Sequence, residues 1–165
     1  MPCRRGVGVK QRVYLETTIV SYLTSRPSRD LILAAHQEVT RQWWEHRRRG
    51  FDLHVSQFVL NEAAGGEPAA AKKRLALLKG LRQLPVTDEV IELGQALVAD
   101  GMLPPKAGID ALHIAVATVH EMDVLLTWNC RHLANAELLI GLRRYMGGKD
   151  YEIPVVTTPE ELMGE

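Results

Sequence analysis

Short β-prone runs alternate with stretches of helical spacing from residue 13 almost to the end of the chain, and this alternation restricts the fold more than any other feature. Val13-Tyr-Leu15 leads into Thr17 to Thr24, and Ser28 reads as the cap of a long helix over Arg29 to Arg49. Phe51 to Ser56 alternates like a strand, Phe58 to Ala64 turns helical, and Gly65-Gly-Glu-Pro68 opens another helix that runs to Arg82. Leu84-Pro-Val86 reads as a third strand and Asp88 to Asp100 as a helix with acids at its positive end. The loop Gly101 to Pro105 precedes a very apolar helix, Ile109 to Met122, and a buried strand, Asp123 to Thr127. A helix over Asn135 to Met146, a strand at Ile153 to Val156 and a helical turn at Pro159 to Met163 complete the pattern. Strands that alternate with helices need crossovers, so the expected fold is a three-layer α/β/α domain around a parallel sheet of about five strands.

Such a sheet gathers functional groups outside the carboxyl ends of its strands. Glu16 ends the first strand and therefore lies at that edge. Glu62 stands six residues past Ser56, in the helix leaving the second strand, which keeps it within about 10 Å of the same edge. Asp110 opens the helix that must carry the chain to the opposite edge, so it also starts here. Thr127-Trp-Asn129 ends the fourth strand at this edge. Three carboxylates and one carboxamide thus converge from distant parts of the sequence. Like charges brought together cost free energy unless a cation or shared protons compensate, and an oxygen-only set suits Mg²⁺ or Mn²⁺ better than zinc. Such an ion lowers the pKa of water and clamps a phosphate, which makes a phosphodiester the substrate class that uses every part. Glu16 and Asp110 are the first candidates for metal ligands and Asn129 a third, with Glu62 completing the catalytic set. Each has a plainer reading: an exposed strand-end acid, a first-turn residue answering the helix dipole, a turn-forming Asn and a solvated helix-face Glu.

These residues resemble the pattern of PIN domains, and of the VapC-like toxins of toxin–antitoxin pairs in particular. The resemblance rests on Val13-Tyr-Leu-Glu16-Thr-Thr-Ile-Val20, Ser56-Gln-Phe-Val-Leu-Asn-Glu62, Asp110-Ala-Leu-His113-Ile-Ala-Val-Ala117 and Thr127-Trp-Asn129-Cys-Arg-His-Leu133. It spans residues 12 to 163, with residues 12–165 read as a single PIN-like domain and residues 1–11 as a loose basic leader. It implies a divalent-metal endoribonuclease selective for single-stranded RNA, neutralised by a cognate antitoxin and dimeric with itself. Two positions depart from the pattern: the first acid is usually Asp and here is Glu16, and the fourth is usually Asp and here is Asn129. The alternative is a PIN-like domain with a weakened site that binds RNA or a protein partner without cutting.

The remaining signals narrow the field. Twenty basic and twenty acidic residues cancel, which disfavours coating nucleic acid by bulk charge. Two widely spaced cysteines, Cys3 and Cys130, form no disulfide framework, and the expected compartment is the cytoplasm. No apolar run approaches the roughly 20 residues a membrane span requires. Gly-rich nucleotide loops are absent. A receiver-like phosphoacceptor domain would also place acids at strand ends but leaves the Asp110-Ala-Leu-His113 helix unexplained. His113 reads as a satisfied core histidine, or as a group orienting Asp110. Cys130-Arg-His132 with His113 has one thiol and no paired spacing, a poor zinc site. Trp43-Trp-Glu-His-Arg-Arg-Arg49 is the one aromatic and basic cluster; it can grip RNA, or bury one Trp and solvate a helix end. Lys72-Lys-Arg74 and Arg143-Arg144 are equally open.

Overall fold

A computed structural model describes residues 8–164 of the chain. Most of the basic leader, Cys3 included, lies outside the described residues. Five strands, β1 (Arg12–Leu15), β2 (Asp52–Ser56), β3 (Arg82–Leu84), β4 (Val124–Leu126) and β5 (Val155–Thr157), form one sheet in the order β3-β2-β1-β4-β5. Every pairing is parallel. The helices are α1 (Thr17–Thr24), α2 (Leu31–His46), α3 (Gln57–Ala63), α4 (Pro68–Leu78), α5 (Asp88–Ala99), α6 (Gly108–Val119) and α7 (Ala136–Gly147). The result is the expected three-layer α/β/α architecture.

The core follows from the composition of the central strands. Val13, Tyr14 and Leu15 of β1 and Leu125 and Leu126 of β4 are all 0% exposed, as a parallel sheet covered on both faces requires. Helix α6 is nearly as dry, with Ala111, Ile114, Ala115, Val116 and Ala117 fully buried. It packs against α5, and the close approach is made at Gly94, where a Cβ would lie 2.7 Å from Leu112 Cδ2.

Several boundaries differ from the sequence reading, each for a local reason. The third strand is Arg82–Leu84, because Pro85 has no N–H to continue the ladder and the register pairs Ser56 with Leu84. The last strand likewise starts after Pro154, at Val155. Helix α2 starts at Leu31 because Asp30, and not Ser28, accepts from the Leu33 amide at 2.9 Å; Ser28 accepts from the Asp30 amide instead, at 3.1 Å. Helix α2 stops at His46, with Arg48–Gly50 tightened into a 3₁₀ turn. Helix α4 ends at Leu78, since Gly80 adopts φ +86°, a left-handed conformation that closes the helix and frees Arg82 for the sheet. Pro159 to Met163 forms turns with two weak backbone hydrogen bonds and no helix.

The strand order places the site. The chain winds outward from β1 to β2 and β3, then returns to β4 and β5 on the other side of β1. Order therefore reverses between β1 and β4, and the crevice outside their carboxyl ends is the switch point where ligands bind in open α/β sheets.

Candidate metal and phosphoryl-transfer site

Glu16 follows β1 at that switch point. Its amide continues the sheet by donating to the Leu126 carbonyl at 3.0 Å, so the backbone fixes where its side chain starts. The side chain is 4% exposed and also caps α1. Oε2 accepts from the Thr18 amide at 3.2 Å, from Thr18 Oγ1 at 2.5 Å and from Thr127 Oγ1 at 2.7 Å. Oε1 has no hydrogen-bond partner among the described residues. Three donors thus converge on one oxygen of a buried carboxylate and fix its orientation.

Glu62 arrives from α3 with the mirror arrangement. Its Oε1 accepts from Thr17 Oγ1 at 2.7 Å and meets His113 Nε2 at 2.6 Å, and Oε2 is left without a partner among the described residues. Burial alone would push this carboxyl up, but the hydrogen bonds from His113 and Thr17 and the attraction of His113 outweigh it and hold it below its ordinary value. Glu16 and Glu62, far apart in sequence, and His113 bring ligand atoms within 4.8 Å of one another. In each carboxylate one oxygen is anchored by protein donors and the other is free. That is a donor set suited to a hard divalent cation.

Asp110 and Asn129 form a second, adjoining half. Asp110 Oδ1 accepts from Asn129 Nδ2 at 3.0 Å, and Oδ2 meets His132 Nδ1 at 2.9 Å. The Asn129 carbonyl oxygen faces the other way, accepting from the amides of Arg131 and His132 at 3.2 and 3.1 Å. Both readings of Asn129 therefore hold in part: it shapes the turn after β4, and it reaches the acids with its amide nitrogen. Thr127 joins the halves, because its hydroxyl donates to Glu16 and accepts from the Asn129 amide at 2.9 Å. Thr18 does the same one step out, accepting from the Trp128 amide at 2.9 Å.

All four residues singled out from sequence thus lie at one sheet edge, with Glu16 and Glu62 in direct proximity and Asp110 linked to them through Asn129 and Thr127. His113 is fully buried, as a core histidine should be, yet it bonds to Glu62 and not to Asp110. The histidine that contacts Asp110 is His132, which sequence reasoning weighed only as part of a zinc group. Cys130 is free and exposed and takes no part in the acidic cluster. The Trp43 to Arg49 cluster divides: Trp43 is fully buried, while Arg48 lies 4.6 Å over the Trp44 ring. It borders a cleft of about 710 Å³ with Lys10, Lys79 and Arg82, at the amino ends of the strands and so opposite the acids.

No protein-family model matches the sequence, and no curated protein matches it. Solved structures do. The chain is similar to VapBC2 from Rickettsia felis, crystallised with a DNA fragment from their promoter, at 16% identity and a TM-score of 0.56, over 90% of this chain and 98% of that one. It is also similar to Mycobacterium tuberculosis VapC20, a toxin that cleaves the sarcin–ricin loop, at 16% identity and a TM-score of 0.57, over 73% of this chain and 92% of that one. The fold is the VapC-like PIN-domain fold.

Proposed function

We propose that this chain is a divalent-metal-dependent endoribonuclease that cuts single-stranded RNA and serves as the toxin of a toxin–antitoxin pair. The observation that carries the reading is the approach of Glu16 and Glu62 to within 4.8 Å, each with one oxygen anchored and one free, on a fold shared with VapC structures.

Glu16, Glu62 and Asp110 are the residues that would hold Mg²⁺ or Mn²⁺. A bound ion would supply charge neutralisation, a lowered pKa for water and a clamp on the scissile phosphate. The chain's own donors do the rest. Thr18 and Thr127 fix Glu16, and Thr17 and His113 fix Glu62. Asn129 and His132 hold both oxygens of Asp110. For Asn129 to ligate metal itself, its carbonyl oxygen has to leave the Arg131 and His132 amides; orienting Asp110 is the role its geometry favours. Because Asn129 carries no charge, the site holds three acids, and one tightly bound ion is the expected stoichiometry.

The partners follow from the same reading. A cognate antitoxin would cover apolar helix surface near α1 and α2, where Leu31 and Ile32 are 86% and 69% exposed. A homodimer fits the family pattern. No helix among the described residues is long and apolar enough to cross a membrane, and the reading places the protein in the cytoplasm.

The test is cleavage of labelled single-stranded and structured RNAs with Mg²⁺, with Mn²⁺ and with EDTA, using Asp110→Asn as the matched control. Metal-dependent cutting that Asp110→Asn abolishes supports the nuclease. A folded, antitoxin-free protein that cuts nothing under any condition favours the second reading instead. That reading is a domain binding RNA or protein whose chemistry lapsed at Asn129.

A further inference from the structure

Beneath the acidic site runs a chain of buried hydrogen bonds that the metal reading does not require. Ser56 Oγ lies 2.7 Å from Tyr14 Oη, and Tyr14 Oη lies 2.7 Å from His113 Nδ1. His113 Nε2 then reaches Glu62 Oε1 at 2.6 Å. Ser56, Tyr14 and His113 are all 0% exposed. They come from three different elements: the end of β2, the middle of β1 and the second turn of α6. The edge of Phe58 meets the His113 ring at 90°, with centroids 6.4 Å apart, and fixes its plane.

The protons of this chain have a self-consistent order. An ionised Glu62 can only accept, so His113 Nε2 carries a hydrogen and donates it. When the imidazole is neutral, Nδ1 is then an acceptor, and the one available donor is the Tyr14 hydroxyl. Tyr14 keeps its proton because burial pushes its phenol far up, and its oxygen accepts in turn from Ser56. Each hydrogen is used once and each acceptor is filled.

We propose that His113 is a positioning residue for the cleavage reaction: held by Tyr14 and Ser56 with its Nε2–H toward Glu62, it pins Glu62 Oε1 and leaves Oε2 without a protein partner at the cluster with Glu16. The inference rests on the nuclease reading for its kinetic part, and on geometry alone for the tautomer. Glu62 needs such a device. Its side chain is 38% exposed and sits on a seven-residue helix, where an unrestrained Glu samples many rotamers. Thr17 holds the same oxygen from the other side, but a single hydroxyl bond leaves the carboxylate free to swing. Outer partners of this kind are commonly worth about 10–100-fold in metal affinity or activity.

Two measurements decide it. The first is ¹⁵N NMR of the histidine rings in the full chain. For the neutral ring, a protonated Nε2 and a bare Nδ1 on His113 are expected, with Tyr14→Phe shifting it toward a mixture of tautomers. An Nδ1–H tautomer in the native chain would overturn the proposal whatever the protein's activity. The second compares His113→Leu with His113→Gln, whose side-chain amide puts a donor near the Nε2 position. The Leu variant should lose about 10–100-fold in kcat with KM little changed, and the Gln variant should recover most of the loss. If the native protein cuts RNA and His113→Leu cuts equally well, the positioning role is wrong and the nuclease reading stands. If the native protein does not cut at all, the nuclease reading fails, and the tautomer and Mn²⁺ affinity in the same two variants decide the role of His113. Equal Mn²⁺ affinity in the native chain and the Leu variant would then overturn it.

Discussion

At the scale of single residues the site depends on hydroxyls as much as on acids. Thr127 Oγ1 both donates to Glu16 and accepts from the Asn129 amide, and Thr127 is fully buried. Thr127→Val keeps the shape and strips both bonds, leaving a buried carboxylate oxygen and an amide short of a partner. Unfolding in urea should show a loss of about 1–3 kcal/mol, and nuclease activity should fall with it. Glu16→Gln separates the two effects. A carboxamide oxygen still accepts from Thr18 and Thr127, so the fold should change little while metal-dependent cutting disappears. A Glu16→Gln protein that cuts at the native rate would remove Glu16 from the metal site. Glu16 was legible in the sequence because a strand end followed by two threonines is a local signal. The partners of Asp110 and Glu62 were not, because His132 and His113 reach them across separations of 22 and 51 residues.

Elements are held by caps and close approaches whose consequences are local. Asp30 caps α2 through the Leu33 amide at 2.9 Å. Asp30→Ala should lower the thermal midpoint by the equivalent of about 1 kcal/mol, without affecting RNA cleavage, since the hydrogen bonds of Asp30 go to Ser28 and Leu33 and to no acid of the site. The α5–α6 contact at Gly94 is more exacting. An added Cβ meets Leu112 Cδ2 at 2.7 Å and Leu112 Cα at 3.5 Å. The first is the mobile end of a side chain and can rotate away; the second is backbone and cannot. Gly94→Ala should therefore be close to neutral, as improved helix propensity offsets the crowding. Gly94→Leu should cost about 1–3 kcal/mol by overpacking. Chemical denaturation of the two variants reads the difference, and equal stability would show that the helices separate more easily than the contact implies. Because α6 carries Asp110 and His113, the Leu variant should also lose activity.

For the whole molecule, acid stability reports on a histidine away from the site. His54 on β2 is 4% exposed, and desolvation by burial lowers its pKa despite the nearby Asp52 carboxylate and its bond to the Asp52 carbonyl. The folded state thus resists protonation that the unfolded chain accepts. Stability from this group is complete above the ordinary value of 6.5 and is lost as pH falls through that value toward the lower folded one. Urea midpoints should decline from pH 7.5 to 5.5, and His54→Gln should flatten the decline. A slope unchanged by His54→Gln would assign it to other groups. The charge of the whole protein is balanced, at twenty basic and twenty acidic residues, yet it is unevenly placed. Glu16, Glu62 and Asp110 stand at the carboxyl edge of the sheet, while Lys10, Arg48, Lys79 and Arg82, with Asp52 among them, border a cleft at the amino edge.

The sequence by itself determined what depends on period and punctuation. Alternating strands and helices required a parallel sheet, and strand-end positions put Glu16, Glu62, Asp110 and Asn129 at one edge. Boundaries slipped where proline and glycine acted on backbone geometry, as at Pro85, Pro154 and Gly80. Only the tertiary structure decided which acids meet, which oxygen of each is left free, and which histidine serves which carboxylate. Periodicity assigns a residue to an edge or a face to within several ångströms, whereas hydrogen bonds and ion coordination are settled within tenths of one.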